Sequence, residues 1–313
     1  KAAILVECKK PLVIDFIENN KLKSGQVLIK ILKSGICRSQ IFEIQGNRGE
    51  DKWLPHLLGH EALGIVEDFG EGVSKVKKGD LVILTWIKSK GISAEPAKYK
   101  WNGKVVNSGR VTTFSEYSVC SEDRIVKTEG SNYELIGPSL GCALPTGFGI
   151  PLKADETKKA KYIGVLGLGG IGMSALMSAT INSNAKVIGI DTNYLRIIEA
   201  KSIFENALFI NSMNEDPFIT ISKYTNGHML DLLVESSGSI KALNLSINLI
   251  NNYGIVKFAS HPKHGELLKI DPFELIKGKR IEGSWGGGIN PDKDFSKIVD
   301  QIKDKQKFID LFQ

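Results

Sequence analysis

Apolar residues follow two different rhythms along this chain. Up to about Pro151 they come as alternations or short runs broken by Gly, Asp and Lys, as in Gln26-Val-Leu-Ile-Lys-Ile31, Gly64-Ile-Val-Glu67 and Asp80-Leu-Val-Ile-Leu84. Short apolar stretches between turn formers predict strands, and the opening Lys1-Ala-Ala-Ile-Leu-Val-Glu-Cys8 reads as the first of them. Beyond Pro151 strands alternate with helices. Tyr162-Ile-Gly-Val-Leu166 precedes a helix carrying Met173, Leu176 and Met177; Lys186-Val-Ile-Gly-Ile190 precedes a helix from about Asn193; Leu208-Phe-Ile210 follows. Leu230-Asp-Leu-Leu-Val234, a helix with Ile240, Leu243 and Ile247, and Gly254-Ile-Val-Lys-Phe258 continue the pattern. Repeated strand-then-helix units predict a doubly wound parallel sheet. From about Gly286 a glycine-rich turn leads into a helix with Phe295, Ile298, Val299 and Ile302 on one face. The stretch from Lys88 to Asn107 has no strong periodicity and is predicted to be a surface loop. The expected organisation is a mostly β domain over 1–150, a doubly wound α/β domain over 151–285, and a third segment over 286–313.

Composition sharpens this picture. A chain of 313 residues exceeds what one core comfortably organises, which favours two domains. With 42% hydrophobic and 24% charged residues and no run of about 18 apolar positions, a soluble protein with no membrane partner is expected. The net charge of +6 is spread among acids and apolar residues, which argues against nucleic acid as a partner and only weakly favours anionic substrates. Four cysteines without a C-x-x-C pair make no disulfide framework, and the apolar opening is too short for a secretory signal. A reducing, cytoplasmic location is the expectation.

The chemistry-bearing residues come next. Gly167-Leu-Gly-Gly-Ile-Gly172 directly follows a predicted strand and opens a predicted helix. In that context Gly167 permits the tight turn, Gly169 lets a pyrophosphate approach the backbone, and Gly172 permits close packing of helix on strand. The N–H groups of Gly170, Ile171 and Gly172 at the helix start can then bind phosphate oxygens. Asp191 lies 24 residues after Gly167 at the end of the second strand, where its carboxylate can accept hydrogen bonds from ribose hydroxyls and would repel a 2′-phosphate. NAD is therefore expected in preference to NADP. Arg196 is placed to stack on adenine or touch that ribose, and the plainer role for Asp191 is to cap the following helix.

Cys37, His60 beside Glu61, and Cys142 are far apart in sequence but chemically matched. Two thiolates and an imidazole can hold zinc with the fourth position open, which is how catalytic zinc sites are built. Each alone has a plainer reading: a cysteine as a small buried hydrophobe, a histidine beside glycine as a turn residue.

These residues, with Gly35-Ile-Cys-Arg-Ser39, Gly59-His-Glu-Ala-Leu-Gly-Ile-Val66, Gly70-Glu-Gly-Val73, Gly79-Asp80, Phe114-Ser-Glu-Tyr117, Gly141-Cys142 and Thr146-Gly147, resemble the zinc-dependent alcohol dehydrogenase group of the medium-chain dehydrogenase/reductase superfamily over nearly the whole chain. The resemblance implies a GroES-like mostly β catalytic domain joined to a Rossmann domain, with the active site between them. It implies Cys37, His60 and Cys142 as zinc ligands, Glu61 as a neighbour able to join the metal, and Ser39 passing the alcohol proton outward. It further implies Arg38 on the cofactor pyrophosphate and Thr146 at the nicotinamide end; an exposed arginine and a helix-start hydroxyl are the plain alternatives. Trp86 is expected either to line the substrate pocket or to pack in the core, and Cys8 and Cys120 to be structural.

The departures carry expectations too. Relatives often hold a second, structural zinc on four cysteines, but Thr85 to Val119 contains no such set, so one zinc per chain is expected. Gln40 stands where relatives commonly have an aspartate steadying the ligand histidine, so His60 is expected to lose that partner. Phe42 stands where some have a proton-shuttling histidine, leaving a ribose hydroxyl, water or another side chain for proton escape. Relatives continue past the point matching Gln313 and return to the catalytic domain, so 286–313 reads as the start of that return and the chain as shortened. The implied activity is hydride transfer between NAD(H) and a small alcohol, polyol or sugar derivative, in a homodimer or homotetramer. The alternatives are a zinc-free quinone or enoyl-type reductase and a dinucleotide-binding protein without turnover.

Overall fold

The computed structural model describes residues 1–312, apart from the side chains of 131 and 132; Gln313, where the last expected segment ends, lies outside the described residues. Two compact units form, one from Lys1–Cys142 with the segment from Asn290 onward, the other from Ala143–Ile289.

The first unit contains β1 (Ala2–Leu5), β2 (Val13–Asp15), β3 (Gln26–Ser34), α1 (Arg38–Ile44), β4 (His56–Leu57), β5 (Glu61–Phe69), β6 (Leu81–Thr85), β7 (Lys98–Trp101), β8 (Lys104–Asn107), β9 (Tyr117–Ser121), β10 (Ile125–Lys127) and α2 (Ser131–Leu140). Its strands make two five-stranded sheets, β10-β6-β5-β3-β9 and β2-β1-β4-β8-β7. The first is antiparallel throughout and buries Val27, Ile29, Ala62, Val66, Val82, Leu84 and Ile125 in one cluster. Burying each valine, leucine or isoleucine of this cluster is worth about 1.5–3 kcal/mol.

The expected loop from Lys88 to Asn107 is corrected by the structure: its second half is the hairpin β7–β8. Asn102 and Gly103 both take positive φ at its turn, the conformation whose twist matches paired strands. Tyr99 and Val106 face each other across the ladder and are buried together. Alternating Lys98, Lys100 and Lys104 dilute the apolar signal, which is why the stretch looked aperiodic.

The second unit contains α3 (Ala143–Lys153), β11 (Tyr162–Leu166), α4 (Gly170–Asn182), β12 (Lys186–Asp191), α5 (Tyr194–Ile203), β13 (Leu208–Asn211), α6 (Pro217–Tyr224), β14 (Leu230–Glu235), α7 (Ile240–Ser246), β15 (Ile250–Phe258), α8 (Pro272–Ile276) and β16 (Arg280–Gly283). All its strand pairings are parallel, in the order β13-β12-β11-β14-β15-β16. The strand order reverses between β11 and β14, and ligands of such sheets bind outside the carboxyl ends of the strands at that switch point. Leu166, Ile188, Ile190, Ile210, Leu230, Leu233 and Val256 form its core. Helix α4 is apolar nearly all round, with Met173, Ala175, Leu176, Met177 and Ala179 buried, because α3 covers the side that the sheet does not. A Cβ on Gly147 of α3 would stand 2.0 Å from the carbonyl oxygen of Ile171, so this close approach needs glycine.

The chain then rejoins the first unit through α9 (Pro291–Ile302) and α10 (Gln306–Ile309). Proline opens α9, the Asn290 N–H donates to the Asp294 carboxylate at 2.9 Å, and the apolar face of Phe295, Ile298, Val299 and Ile302 is buried. Among the described residues no single helix is long and apolar enough to cross a membrane.

Candidate metal centre and dinucleotide site

Three turns bring the distant donors together. Cys37 is the residue just before α1, and the Gln40 N–H donates to its carbonyl at 3.0 Å. His60 immediately precedes β5, after Gly59 at φ 88°, where a Cβ would stand 2.3 Å from Thr113 Oγ1. Cys142 follows α2 and Gly141, where a Cβ would stand 2.4 Å from the Leu84 carbonyl oxygen and 2.7 Å from Glu61 Cα. Glycine is thus what lets the last donor settle against β5 and β6.

The resulting distances suit a metal. Cys37 Sγ and Cys142 Sγ are 3.8 Å apart, His60 Nε2 is 3.2 Å from Cys142 Sγ, and the three donor atoms lie within 4.8 Å of one another. Two sulfurs at about 2.3 Å from a tetrahedral zinc stand about 3.8 Å apart, and a sulfur and an imidazole nitrogen about 3.6 Å. The sulfur pair already has that spacing. The nitrogen sits slightly closer, at the reach of an N–H···S contact.

Electrostatics divides the two thiols. The hydrogen bond from Cys142 pulls the Cys37 thiol down to about 3 against its burial, with His60 and Ser39 helping. The same bond pushes Cys142 well up, reinforced by burial and by the negative Glu61. One thiolate and one thiol therefore share a proton where a cation fits. Burial raises Cys8 and, far more, Cys120, which suits inert structural thiols.

In the second unit, Gly167 has φ 92°, and a Cβ there would stand 2.7 Å from the Ser237 backbone. A Cβ on Gly172 would stand 1.8 Å from the Gly167 carbonyl oxygen. At Gly169, by contrast, the nearest atom to a built Cβ is Arg196 Nη1 at 3.8 Å. Open space therefore faces the start of α4 at the one glycine a pyrophosphate needs to approach. Asp191 is 6% exposed; its Oδ2 accepts the Leu168 N–H at 2.6 Å and its Oδ1 the Asn193 N–H at 2.7 Å. The cap of α5 is Asn193, whose side chain accepts the Leu195 N–H, so Asp191 ties the glycine turn to β12 instead. Arg196 Nη1 lies 3.8 Å from its carboxylate.

The chain is similar to known proteins along its whole length. Residues 23–130 match the alcohol dehydrogenase GroES-like domain and residues 170–304 the zinc-binding dehydrogenase domain. An alcohol dehydrogenase class-3 of Dictyostelium discoideum is 29% identical over 346 residues, covering 100% of this chain and 90% of that protein. An alcohol dehydrogenase class-P of Arabidopsis thaliana is 27% identical over 341 residues, covering 100% and 89%. The benzyl alcohol dehydrogenase structure from Acinetobacter calcoaceticus superposes with a TM-score of 0.84 at 25% identity, covering 99% of this chain and 90% of that one. The chain belongs to the zinc-dependent alcohol dehydrogenases of the medium-chain dehydrogenase/reductase superfamily. It is a zinc-dependent alcohol oxidoreductase with a GroES-like unit and a Rossmann unit.

The other expected residues of this dehydrogenase fall as follows. Glu61 is buried with its carboxyl group against Gly35, outside the three-donor group. The Arg38 guanidinium lies 4.7 Å over the ring of Phe42. Trp86 packs against the core of the first antiparallel sheet and also touches the Cys142 sulfur. Thr146 is buried in α3, with its carbonyl against Gly287.

His60 does not go without a partner. The Gln40 side-chain Nε2 lies 2.8 Å from His60 Nδ1, so an amide stands in for the carboxylate. Sequence reading also passed over Glu235-Ser236-Ser237 at the end of β14. There Ser236 Oγ donates to the Gly167 carbonyl at 2.7 Å and the Ser237 N–H to Glu235 at 2.9 Å. Their signal was a polar cluster directly after an apolar strand. A further group brings Glu43, Asp51 and His56 together, and Glu43 and His56 line a cavity of about 630 Å³ that Gln40 and His60 also reach.

Proposed function

We propose that this dehydrogenase transfers hydride between NAD(H) and a small alcohol, polyol or sugar derivative and its carbonyl form, using one zinc per chain held by Cys37, His60 and Cys142. The observation that carries this reading is the sulfur pair at 3.8 Å with an imidazole nitrogen 3.2 Å from one of them, in a chain that also has the dinucleotide cradle. Bound there, zinc supplies a Lewis acid that acidifies an alcohol and polarises a carbonyl. The rest falls to the protein's own groups. Ser39, two residues after Cys37 on the first turn of α1, accepts the alcohol proton at Oγ. Phe42 is buried, stacks under Arg38 and has no proton to carry, so the proton leaves Ser39 by water or a ribose hydroxyl.

In the Rossmann unit, Gly169 and the N–H groups of Gly170, Ile171 and Gly172 hold the pyrophosphate. Asp191 selects NAD, since each carboxylate oxygen keeps a lone pair for a ribose hydroxyl beside its backbone N–H. Arg196 borders the same pocket, and Thr146 contacts the nicotinamide end. Strand β16 ends its sheet, with Tyr253, Phe273, Ile276 and Trp285 of that unit exposed, and this edge supports a homodimer or homotetramer. The enzyme works in the cytoplasm.

The test is metal analysis of the purified protein with NADH and NADPH formation across alcohols, polyols and sugar phosphates. One zinc per chain and turnover with NAD are expected. Full turnover under complete chelation would support a zinc-free reductase instead.

A further inference from the structure

The glycine turn of the cradle is gripped from both neighbouring strands. From β12, the Ile190 carbonyl accepts the Gly167 N–H at 2.8 Å and Asp191 Oδ2 accepts the Leu168 N–H at 2.6 Å. From β14, the Ser236 N–H donates to the Leu166 carbonyl at 2.9 Å, and the Ser236 hydroxyl lies 2.7 Å from the Gly167 carbonyl oxygen and 3.3 Å from that of Leu166. Carbonyl oxygens only accept, so the hydroxyl is the donor to both. Ser236 is itself held from the next strand, its own carbonyl accepting the Ser260 hydroxyl at 2.8 Å just beyond β15.

The Gly167 carbonyl and the Leu168 N–H belong to one peptide group, which is planar and turns as a unit. Ser236 holds its oxygen end and Asp191 holds its N–H end. Turning that plane changes ψ of Gly167 and φ of Leu168, and a glycine at φ 92° resists such a turn little. The plane therefore takes its orientation from two side chains on opposite sides of it. It leads directly into Gly169, so its tilt sets where the backbone open to a pyrophosphate stands. It also fixes the aim of the Asp191 carboxylate, whose Oδ2 is tied to its N–H. A Cβ on Gly172 would stand 1.8 Å from the Gly167 carbonyl oxygen and 2.9 Å from Ser236 Oγ, so the hydroxyl, the carbonyl and the first turn of α4 meet at one point.

We propose that Ser236 is a positioning residue for the dinucleotide, acting with Asp191 as the two jaws of a clamp on the peptide between Gly167 and Leu168. This rests on the cofactor site proposed above. The clamp joins β14 to β12 through the turn between them, and cofactor affinity depends on the Ser236 hydroxyl through that peptide.

The test uses the full zinc-loaded chain, with NADH binding followed by fluorescence titration and steady-state kinetics with NAD. Ser236→Ala should bind NADH about three- to tenfold more weakly and raise KM for NAD by a similar factor, while kcat does not fall and zinc content and far-UV circular dichroism stay as in wild type. Ser236→Thr keeps the hydroxyl and should bind within about twofold of wild type. Because both jaws hold one plane, releasing the second costs less than releasing the first. Ser236→Ala combined with Asp191→Ala should therefore weaken NADH binding by about threefold less than the product of the two single losses. If Asp191→Ala does not fold, the contrast between alanine and threonine at position 236 decides alone. Wild-type affinity in Ser236→Ala, equal losses in Ser236→Ala and Ser236→Thr at unchanged Tm, or single losses that simply multiply in the double variant overturn the clamp while leaving the cofactor site standing. A wild-type chain that binds no NADH overturns both.

Discussion

The two sites of this dehydrogenase are built in opposite ways. The proposed dinucleotide cradle comes chiefly from one continuous stretch, β11 to β12, in which Gly167, Gly169, Gly172 and Asp191 lie within 25 residues. The proposed metal centre gathers Cys37, His60 and Cys142 across 106 positions, each from the end of a different element. Local encoding makes the first tolerant of changes elsewhere but intolerant of a single added methyl group. Non-local encoding makes the second dependent on the turns that deliver each donor. The two sites should therefore fail independently, and in different ways.

The largest effect expected is on the metal side. Cys37→Ser or His60→Ala should lose zinc and lower kcat/KM by at least about 10³-fold, since a Lewis acid is worth several kcal/mol to the reaction. NADH binding, followed by fluorescence titration, should stay within about twofold of wild type. Loss of NADH binding in these variants would show that the two sites are not independent.

Next comes a contrast within one motif. Gly172→Ala places a methyl 1.8 Å from the Gly167 carbonyl oxygen and should cost about 1–3 kcal/mol, read as a lower Tm together with weaker NADH binding. Gly169→Ala meets nothing closer than 3.8 Å and should keep the Tm while weakening NADH alone. Equal thermal behaviour of the two would contradict the roles assigned to these glycines. Both should keep their zinc.

A smaller shift is expected from Asp191→Asn. The amide oxygen keeps one of the two backbone N–H bonds, from Leu168 or from Asn193, and the side chain no longer repels a 2′-phosphate, so the kcat/KM ratio of NADP to NAD should rise about tenfold. An unchanged ratio would assign cofactor choice to another residue.

The mildest probe is alkylation of the zinc-stripped chain. Cys37, held down to about 3, is already thiolate from pH 6 to 8, so its iodoacetamide rate should be nearly flat there. Cys8, with its pKa raised, should react faster as pH rises. Peptide mapping by mass spectrometry separates them, and a Cys37 rate that climbs with pH as Cys8 does would contradict the shared-proton arrangement.

Much of this was legible before the fold. The strand-then-helix rhythm beyond Pro151 specifies a parallel sheet because both periods are strong and glycine punctuates them. Candidate zinc donors could be named from their residue types and neighbouring glycines, but not their distances, since a turn such as Gly141-Cys142 says nothing of which strand it meets. The β7–β8 hairpin was hidden by its lysines, although Asn102-Gly103 marked its turn. The partner of His60 was hidden for another reason: an amide in place of a carboxylate looks like a loss until its distance is known. Asp191 shows the same limit, because capping and tying down the glycine turn use the same acceptor and only the hydrogen-bond partners distinguish them.

The central claim is that three side chains from distant segments hold one ion in the catalytic unit. Zinc K-edge absorption on the loaded enzyme tests it directly. The account predicts two sulfur scatterers at about 2.3 Å and nitrogen or oxygen scatterers near 2.0–2.1 Å, with one sulfur lost in Cys142→Ser. A shell of nitrogen and oxygen alone, or four sulfurs, would contradict it.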